Sequence, residues 1–587
     1  KTKHPPLGML CPSRKIPSNH HSPLDSQYHL RKRKERFIEW DQFEHSPKRP
    51  RVEAEHSAGV LEEDVAGFHR ANDAAADVHD SFLEKIRPAQ VFTPTMDEFA
   101  NALQYIRDHV VPRVYLDGIC VIRPPKEWKH QIVFPVDRLI PLRPQELSDR
   151  IVDSKGSGLA SISVDDPLVA SLQLSIRVAD RLDWISATSR EKVERATILR
   201  NCSAKQLPRH VSEAEQQKIY WKWFRTQHTR LNKVFYANDV EGSAFPLPTF
   251  ESVRNPCSSA TSDWNLNILP LKSVLGACGS KIPGVTSPMK YIGMKHSTFT
   301  WHYEDSQMYS ASFHHHGADR TWYGVPHRAA RKFEHVVRDH VFHHFVDNDT
   351  VRLLLGKTTM FTPVFLQQHK VDVVTQTQRA GDFVITLPKA YHCGFSHGFN
   401  ICEASNFALA DWFPHLQRTT GEFRRIARSC VIKEEELIIL SCEPYLDPMY
   451  RKNHGRPSLE LMQAMKRLYC SQKRLQNRLS ESLKLVSKSL GVHIVSGDSN
   501  SESCELCNYA CYVSKLSCGC SSSIYCLYCH FIPASSCRCQ IWTLLCKYDL
   551  AGMKCIMESL GWSSSKDSDS GAIRGSHCSQ VDAYRIK

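Results

Sequence analysis

Residues 232–415 alternate short runs of β-branched and aromatic side chains with Gly, Pro and Asp turns. "KTTMFTP", "VDVVTQTQRAGDFVITLP" and "TWYGVP" are examples. Several short strands at such close spacing make a sandwich or a barrel. This segment constrains the fold more than any other, because a sheet of that kind needs partners for every strand. The full chain of 587 residues is too long for one core, so about two to four units are expected.

One of the β-rich runs carries chemistry. In "FTWHYED", residues 299–305, His302 and Glu304 stand two positions apart. Side chains at i and i+2 of a strand share a face. An imidazole and a carboxylate side by side on a rigid ribbon suit a metal ion better than a core. A third ligand must come from a distant strand, and His392 in "DFVITLPKAYHCGFSHGFN" is the candidate. Two histidines and one carboxylate form the facial triad that holds Fe(II) and leaves positions open for a co-substrate and O2. With 30 histidines in the chain, this spacing alone is only moderately specific.

The cysteines are the second constellation. The 22 cysteines are unevenly spread, with nine between Cys504 and Cys539. In a chain with no apolar signal-peptide core such crowding points to metal rather than disulfides. Cys504 and Cys507, Cys518 and Cys520, Cys526 and Cys529 (with His530 adjacent), and Cys537 and Cys539 pair up. Eight ligands would hold two tetrahedral Zn2+ ions, which would supply much of the folding energy of so small a module. Cys529 and His530 compete for one place, and Cys511 is left over.

The flanking segments are plainer. Residues 1–85 are polar, charged and Pro-rich, and read as disordered. Their clusters "RKRKER" (Arg31–Arg36) and "PKRPR" (Pro47–Arg51) suit a two-part nuclear import signal, the alternative being a solvated basic tail. Residues 86–135 combine a capping box, Thr95 with Glu98, a helical spacing of Phe99, Leu103, Ile106 and Val110, and the short strand "GICVIRPP". Residues 136–231 are expected to be a helical or irregular insert, and 416–495 a helical domain. In the latter, Leu461, Met465, Leu468, Leu475 and Leu479 mark an apolar face, and Lys466, Arg467, Lys473, Arg474 and Arg478 a basic one. That basic face of 461–490 is either a solvated surface or a contact for DNA phosphates. The cysteine-rich module takes 500–560, and a Ser-rich tail, 561–587, is expected to be disordered. The net charge of +13 favours acidic partners such as chromatin, and no apolar run of membrane-spanning length occurs. The chain opens on Lys rather than Met, as a fragment of a longer protein would.

The words around His302 and His392 add a resemblance. "PMKYIGMKHSTFTWHYEDSQMYSASFHHHGADRTWYGVP" and "GDFVITLPKAYHCGFSHGFNICEASNFALADW" closely resemble the JmjC domain of jumonji histone lysine demethylases. "VFTPTMDEFANALQYIRDHVVPRVYLDGICVIRPPKEW" resembles the JmjN segment, and "FYANDVEGSAF" the strand leading into JmjC. The cysteine-rich segment and "GVTSPMKYIGM" are most similar to the plant members that end in a zinc finger. The resemblance covers about 91–131 and 232–415. It implies a mixed α and β fold whose JmjC core, residues 232–415, is a double-stranded β-helix (a jelly-roll, cupin-like barrel) joined to JmjN.

The same resemblance implies an Fe(II)- and 2-oxoglutarate-dependent dioxygenase in the nucleus. Its substrate would be methylated lysine 27 or lysine 9 of histone H3, on the tail or the nucleosome. The methyl group is hydroxylated and leaves as formaldehyde. His302, Glu304 and His392 match the iron ligands. Tyr236 matches a tyrosine that bonds the distal carboxylate of 2-oxoglutarate, and Tyr291 an aromatic residue beside the methylammonium. The family's finger has five cysteines, one histidine and two cysteines as ligands. Two positions depart from the pattern: Arg320 replaces the usual lysine of the co-substrate site, and Ser312 stands where many members have asparagine. Ala404 stands where some have serine. Arg keeps the charge and can grip a carboxylate with two bonds. These changes keep open a second reading, a catalytically weak or silent chromatin scaffold. A third, a protein hydroxylase with another target, is disfavoured by the JmjN segment.

Overall fold

The computed structural model describes residues 80–130, 132, 143–148, 151–152, 159–160, 172–175, 211–226, 234–248, 258–342, 350–357, 359–485, 488–494, 502–529 and 538–562. The basic clusters before residue 68, the tail after 562, His530 and Cys537 lie outside these residues.

Among the described residues two sheets face each other as a jelly roll. The minor sheet has four strands in the order Val374–Gln378, Arg320–Val325, Tyr391–Ser396, Thr298–His302. The major sheet has ten strands, and its centre runs Ile119–Ile122, Phe383–Thr386, Tyr309–Gly317, Asn400–Phe407, Met289–Gly293, Val234–Glu241. The inner strands of the minor sheet are buried at every position. They have the major sheet on one side and the helix His327–His340 on the other, which buries Ala329, Ala330, Phe333 and Val337. Strands covered on both faces have no polar alternation to show. Gly394 lies in this layer because a Cβ there would meet the Thr321 carbonyl at 2.2 Å and the Phe299 ring at 2.3 Å.

The N-terminal unit is part of the barrel. Val91–Phe92 pairs in parallel with Ile119–Ile122, which pairs antiparallel with Phe383–Thr386. The ion pair from Arg123 to Asp382 at 3.1 Å closes this edge. The Thr95–Glu98 capping box forms as expected. The single helix expected from Phe99 to Val110 does not. The Asn101 side chain caps a new helix start by accepting the Gln104 N–H, and a π-turn spans Ile106–Val110. The apolar residues still face inward, so tertiary burial tolerates the break.

Two expectations need correction. The 136–231 insert holds a helix, Glu213–Thr226, but also the strands Arg143–Ser148 and Leu172–Ser175, which extend the major sheet beyond Val234–Glu241. These segments are too short to show a period, and an open sheet edge decides their state rather than propensity. The C-terminal helical domain stops at Leu485, and Ser489–Ile494 is a strand paired in parallel with Ile541–Cys546 of the cysteine-rich module. The long helix Leu459–Leu485 buries Leu461, Met465, Leu468, Leu475 and Leu479 as its spacing predicts. Its Lys466, Arg467, Lys473, Arg474 and Arg478 are exposed. No described helix is long and apolar enough to cross a membrane.

Candidate metal centre and cysteine-rich module

Strand pairing brings the distant histidine to the pair. His392 is the cross-strand partner of His302, and their rings lie 4.3 Å apart. Cross-strand partners share a face, so both side chains lie on one side of the minor sheet. The ligand atoms of His302, Glu304 and His392 all lie within 4.8 Å of one another. Each histidine is oriented from behind: His302 Nδ1–H donates to the Thr300 carbonyl at 2.6 Å, and His392 Nδ1–H to the Ala390 carbonyl at 3.0 Å. With Nδ1 committed to a carbonyl, Nε2 is the atom each ring would offer to a metal, which would replace any proton there. Burial pushes the His302 imidazole down to about 3, with the neighbouring His392 adding to it, so it stays neutral as a ligand must. Burial works against the Glu304 charge. The bond with His392 and the Lys357 ammonium outweigh it and hold the carboxyl well below its ordinary range. Two imidazole nitrogens and one carboxylate, with no fourth His, Cys, Asp or Glu grouped with them among the described residues, fit a facial-triad metal.

The register places the other candidates on the face opposite. Tyr236 pairs with Gly293, Tyr291 with Cys402, and Ser312 with Ala404. Cross-strand partners share a face, so Tyr236, Tyr291, Ser312 and Ala404 line one surface of the major sheet. Arg320 comes from the minor sheet, in register with Ser396 and on the face of His392. It is 4% exposed, and its guanidinium lies 4.7 Å over Phe299 and 5.2 Å over Trp322. Its Nε has no hydrogen-bond partner among the described residues. Burial opposes its charge, while Cys402 and Tyr236 favour it. The Tyr236 phenol is pushed up to about 12 by burial, with Arg320 acting in the other direction. A buried cation with a free N–H beside a phenol is a cradle for a carboxylate.

Two residues at the site escaped the sequence reading. Tyr291 OH donates to the Asp239 carboxylate at 3.3 Å. Lys357 lies 3.8 Å from Asp305, and burial of its ammonium is offset by Asp305, Glu304 and Asp239. Both Asp239 and Lys357 have positive φ, 57° and 51°. Neither falls on a strand period, although a left-handed Asp in "YANDVEG" is a usable turn signal.

The cysteines sort into two groups. Cys504, Cys507, Cys526 and Cys529 converge, as do Cys518, Cys520 and Cys539. Cys529 stands in the quartet, while its competitor His530 lies outside the described residues. The Sγ atoms of Cys507 and Cys526 are 3.6 Å apart, against about 3.8 Å for the edge of a tetrahedron with Zn–S near 2.3 Å. Cys511 is buried beside the quartet but outside it. Four thiols with no disulfide among them fit a closed zinc site.

The comparisons with known proteins agree with this geometry. Residues 289–407 match the family model described as "JmjC domain, hydroxylase". These residues are a JmjC domain. The chain is 32% identical over 477 residues to lysine-specific demethylase JMJ706 of Oryza sativa subsp. japonica, covering 78% of this chain and 52% of that protein. It is 33% identical to lysine-specific demethylase JMJ17 of Arabidopsis thaliana, over 60% of this chain and 29% of that protein. Lysine-specific demethylase 5D of Homo sapiens is 38% identical over 40% of this chain and 16% of that protein. The chain spans about half the length of the rice relative and less of the others. The jumonji resemblance and the jelly-roll core both hold, and the JmjC domain spans Tyr291, His302, Glu304, Ser312, Arg320, His392 and Ala404.

Proposed function

We propose that this chain is a nuclear Fe(II)- and 2-oxoglutarate-dependent oxygenase that removes methyl groups from lysine 27 or lysine 9 of histone H3. The observation that carries the reading is the interior convergence of His302, Glu304 and His392, opposite a buried arginine with a free N–H. The lysine-specific demethylases among its relatives support the substrate class. Iron bound by the triad would activate O2 and oxidise the N-methyl group. The chain's own residues do the rest. Thr300 and Ala390 hold the histidine rings, and His392 with Lys357 favours the Glu304 charge. Arg320 and Tyr236 receive the distal carboxylate of 2-oxoglutarate, and Tyr291, held by Asp239, faces the methylammonium. The sheet faces exclude bulk water from the reacting groups. Zinc at the cysteine groups is structural, because the quartet is closed.

Mass spectrometry of trimethylated H3 peptides incubated with the protein, Fe(II) and 2-oxoglutarate tests this. Stepwise loss of methyl mass is expected from wild type and none from His392→Ala. Equal demethylation by His392→Ala refutes the triad. A second reading, a silent chromatin scaffold, draws on Ser312 facing Ala404, a pair with no amide. Wild-type protein that binds histone peptide but leaves its mass unchanged decides for it. The exposed basic face of Leu459–Leu485 would then serve DNA phosphates, a contact that salt weakens.

A further inference from the structure

The backbone beside the metal triad is strained. Ser306 and Gln307, just after Glu304, both have φ of 53°, and Lys389, three residues before His392, has φ of 57°. Side chains other than Gly and Asn hold such conformations only where their surroundings over-determine them. Here one helix does the holding. The Trp412 indole N–H, at the N-cap of the helix Phe413–Arg425, donates to the Ser306 carbonyl at 2.9 Å. His415 bonds the Gln307 side chain at 3.2 Å, and Glu422 accepts from the same side chain at 3.2 Å. The other Glu422 oxygen lies 3.7 Å from Lys389, which also pairs with Glu334. Glu422 therefore touches both turns that carry the triad.

Two residues further on, the same helix reaches the cysteine module. The Arg424 guanidinium lies 3.9 Å over the Tyr509 ring and 3.7 Å over the Tyr528 ring. Its Nε makes no hydrogen bond among the described residues; the two rings flank it, and the carboxylates of Glu434 and Glu435 attract its charge. Tyr509 follows Cys507 by two positions and Tyr528 precedes Cys529 by one. The backbone of the cysteine quartet thus sets where the rings stand. The thiols of Cys526 and Cys507 also favour the Arg424 charge, and four thiolates around Zn2+ would leave an excess of negative charge beside it. Buried Phe413, Leu416 and Phe423 seat the helix in the core, and Phe423 anchors the last turn between Glu422 and Arg424.

We propose that Glu422 and Arg424 are positioning residues through which the cysteine quartet holds the two turns of the metal triad. The quartet would thus govern the triad's affinity for metal without touching it. This inference rests on the functional reading for its metal, but the linkage can be read without metal.

Hydrogen exchange on the full, iron-free chain is the test. Peptides covering 303–308 and 387–391 should exchange roughly two- to fivefold faster in Arg424→Ala and in Glu422→Ala, as loss of a partly exposed cation–π clamp or its polar link implies. Arg424→Lys, which keeps a cation over the rings, should restore slow exchange. Arg467→Ala, which removes a bond to Gln417 on the same helix, should not change it. Anaerobic titration with Fe(II) should show affinity weakened by about the same factor in Arg424→Ala and regained in Arg424→Lys. Wild-type exchange in Arg424→Ala overturns the proposal, as does equal acceleration in Arg467→Ala. If Arg424→Ala does not fold, Tyr528→Leu removes half of the clamp from a ring that is 47% exposed, and is judged by the same criterion. If wild-type protein takes up no Fe(II), the functional reading falls, and the exchange data alone decide the linkage.

Discussion

Arg320 offers a perturbation whose two effects have opposite sign. In the ligand-free protein its guanidinium is buried over Phe299 and Trp322, with no carboxylate paired to it among the described residues. Replacing it by Met removes a buried charge that is costly to leave unpaired, so the free protein should be as stable as wild type or more so. On the proposed function, the same change deletes the bonds to the distal carboxylate of 2-oxoglutarate. A hydrogen bond to a charged group contributes about 1.5–3 kcal/mol, or roughly 10- to 150-fold in affinity. At a ligand concentration about 100 times the wild-type Kd, binding stabilises wild type by ~2.7 kcal/mol. For Arg320→Met the ratio falls to between about 10 and 0.7, and the stabilisation to roughly 1.4–0.3 kcal/mol. Thermal unfolding with and without 2-oxoglutarate, under argon and with Fe(II), reads both effects. A full ligand-induced Tm shift in Arg320→Met refutes the carboxylate role. A marked loss of stability without ligand refutes the account of an unpaired charge.

Other perturbations test the rest of the molecule. Glu435 accepts the Tyr512 and Val513 N–H groups at 3.0 and 2.9 Å and Gln472 at 2.7 Å. Glu435→Ala leaves these buried donors unpaired and should cost about 2–5 kcal/mol, seen as proteolysis of the cysteine module ahead of the barrel. Purified protein should carry about two Zn2+ by elemental analysis, and a strong chelator should melt residues 502–562 before the JmjC domain. Burial lowers His130 and His415 to about 3, and His314 and His397 to about 4. The unfolded chain takes up these protons first, so stability should be flat above pH 6.5. It should fall as pH drops from 6.5 towards 4, by up to ~1.4 kcal/mol per pH unit per histidine. Denaturant titrations at pH 7.5, 6 and 5 check this, and a rise in stability towards pH 5 would contradict it.

The metal centre was legible where chemistry and period coincide. His302 ends the strand Thr298–His302 and Glu304 follows it in extended backbone, so their spacing alone showed them as neighbours. His392 was a candidate on spacing and became compelling only through the words around it, because pairing across 90 residues leaves no local trace. Asp239 and Lys357 were missed since they sit at positive-φ positions outside any repeat. In the cysteine module the pairs were plain, but not their sorting. Cys504 and Cys507 join Cys526 and Cys529 across Cys518 and Cys520, an interleaving that follows from the hairpin Ser514–Cys518 with Ser521–Tyr525. The strands at 143–148 and 172–175 exist because a sheet edge waits for them, and nothing in four to six residues announces that.

The strand Ile119–Ile122 has a consequence for how the protein is made. It emerges from the ribosome well before its antiparallel partner Phe383–Thr386, and the Arg123–Asp382 ion pair spans 259 positions. At synthesis rates of about 5–20 residues per second, this apolar strand lacks that partner for roughly 13–50 s. An unpaired edge is a template for pairing with other chains, and long-range closure is slow. Crowded polysomes would therefore be the place where this protein is most prone to aggregate. A chaperone that covers residues 119–122 during translation should raise its soluble yield more than one supplied after release.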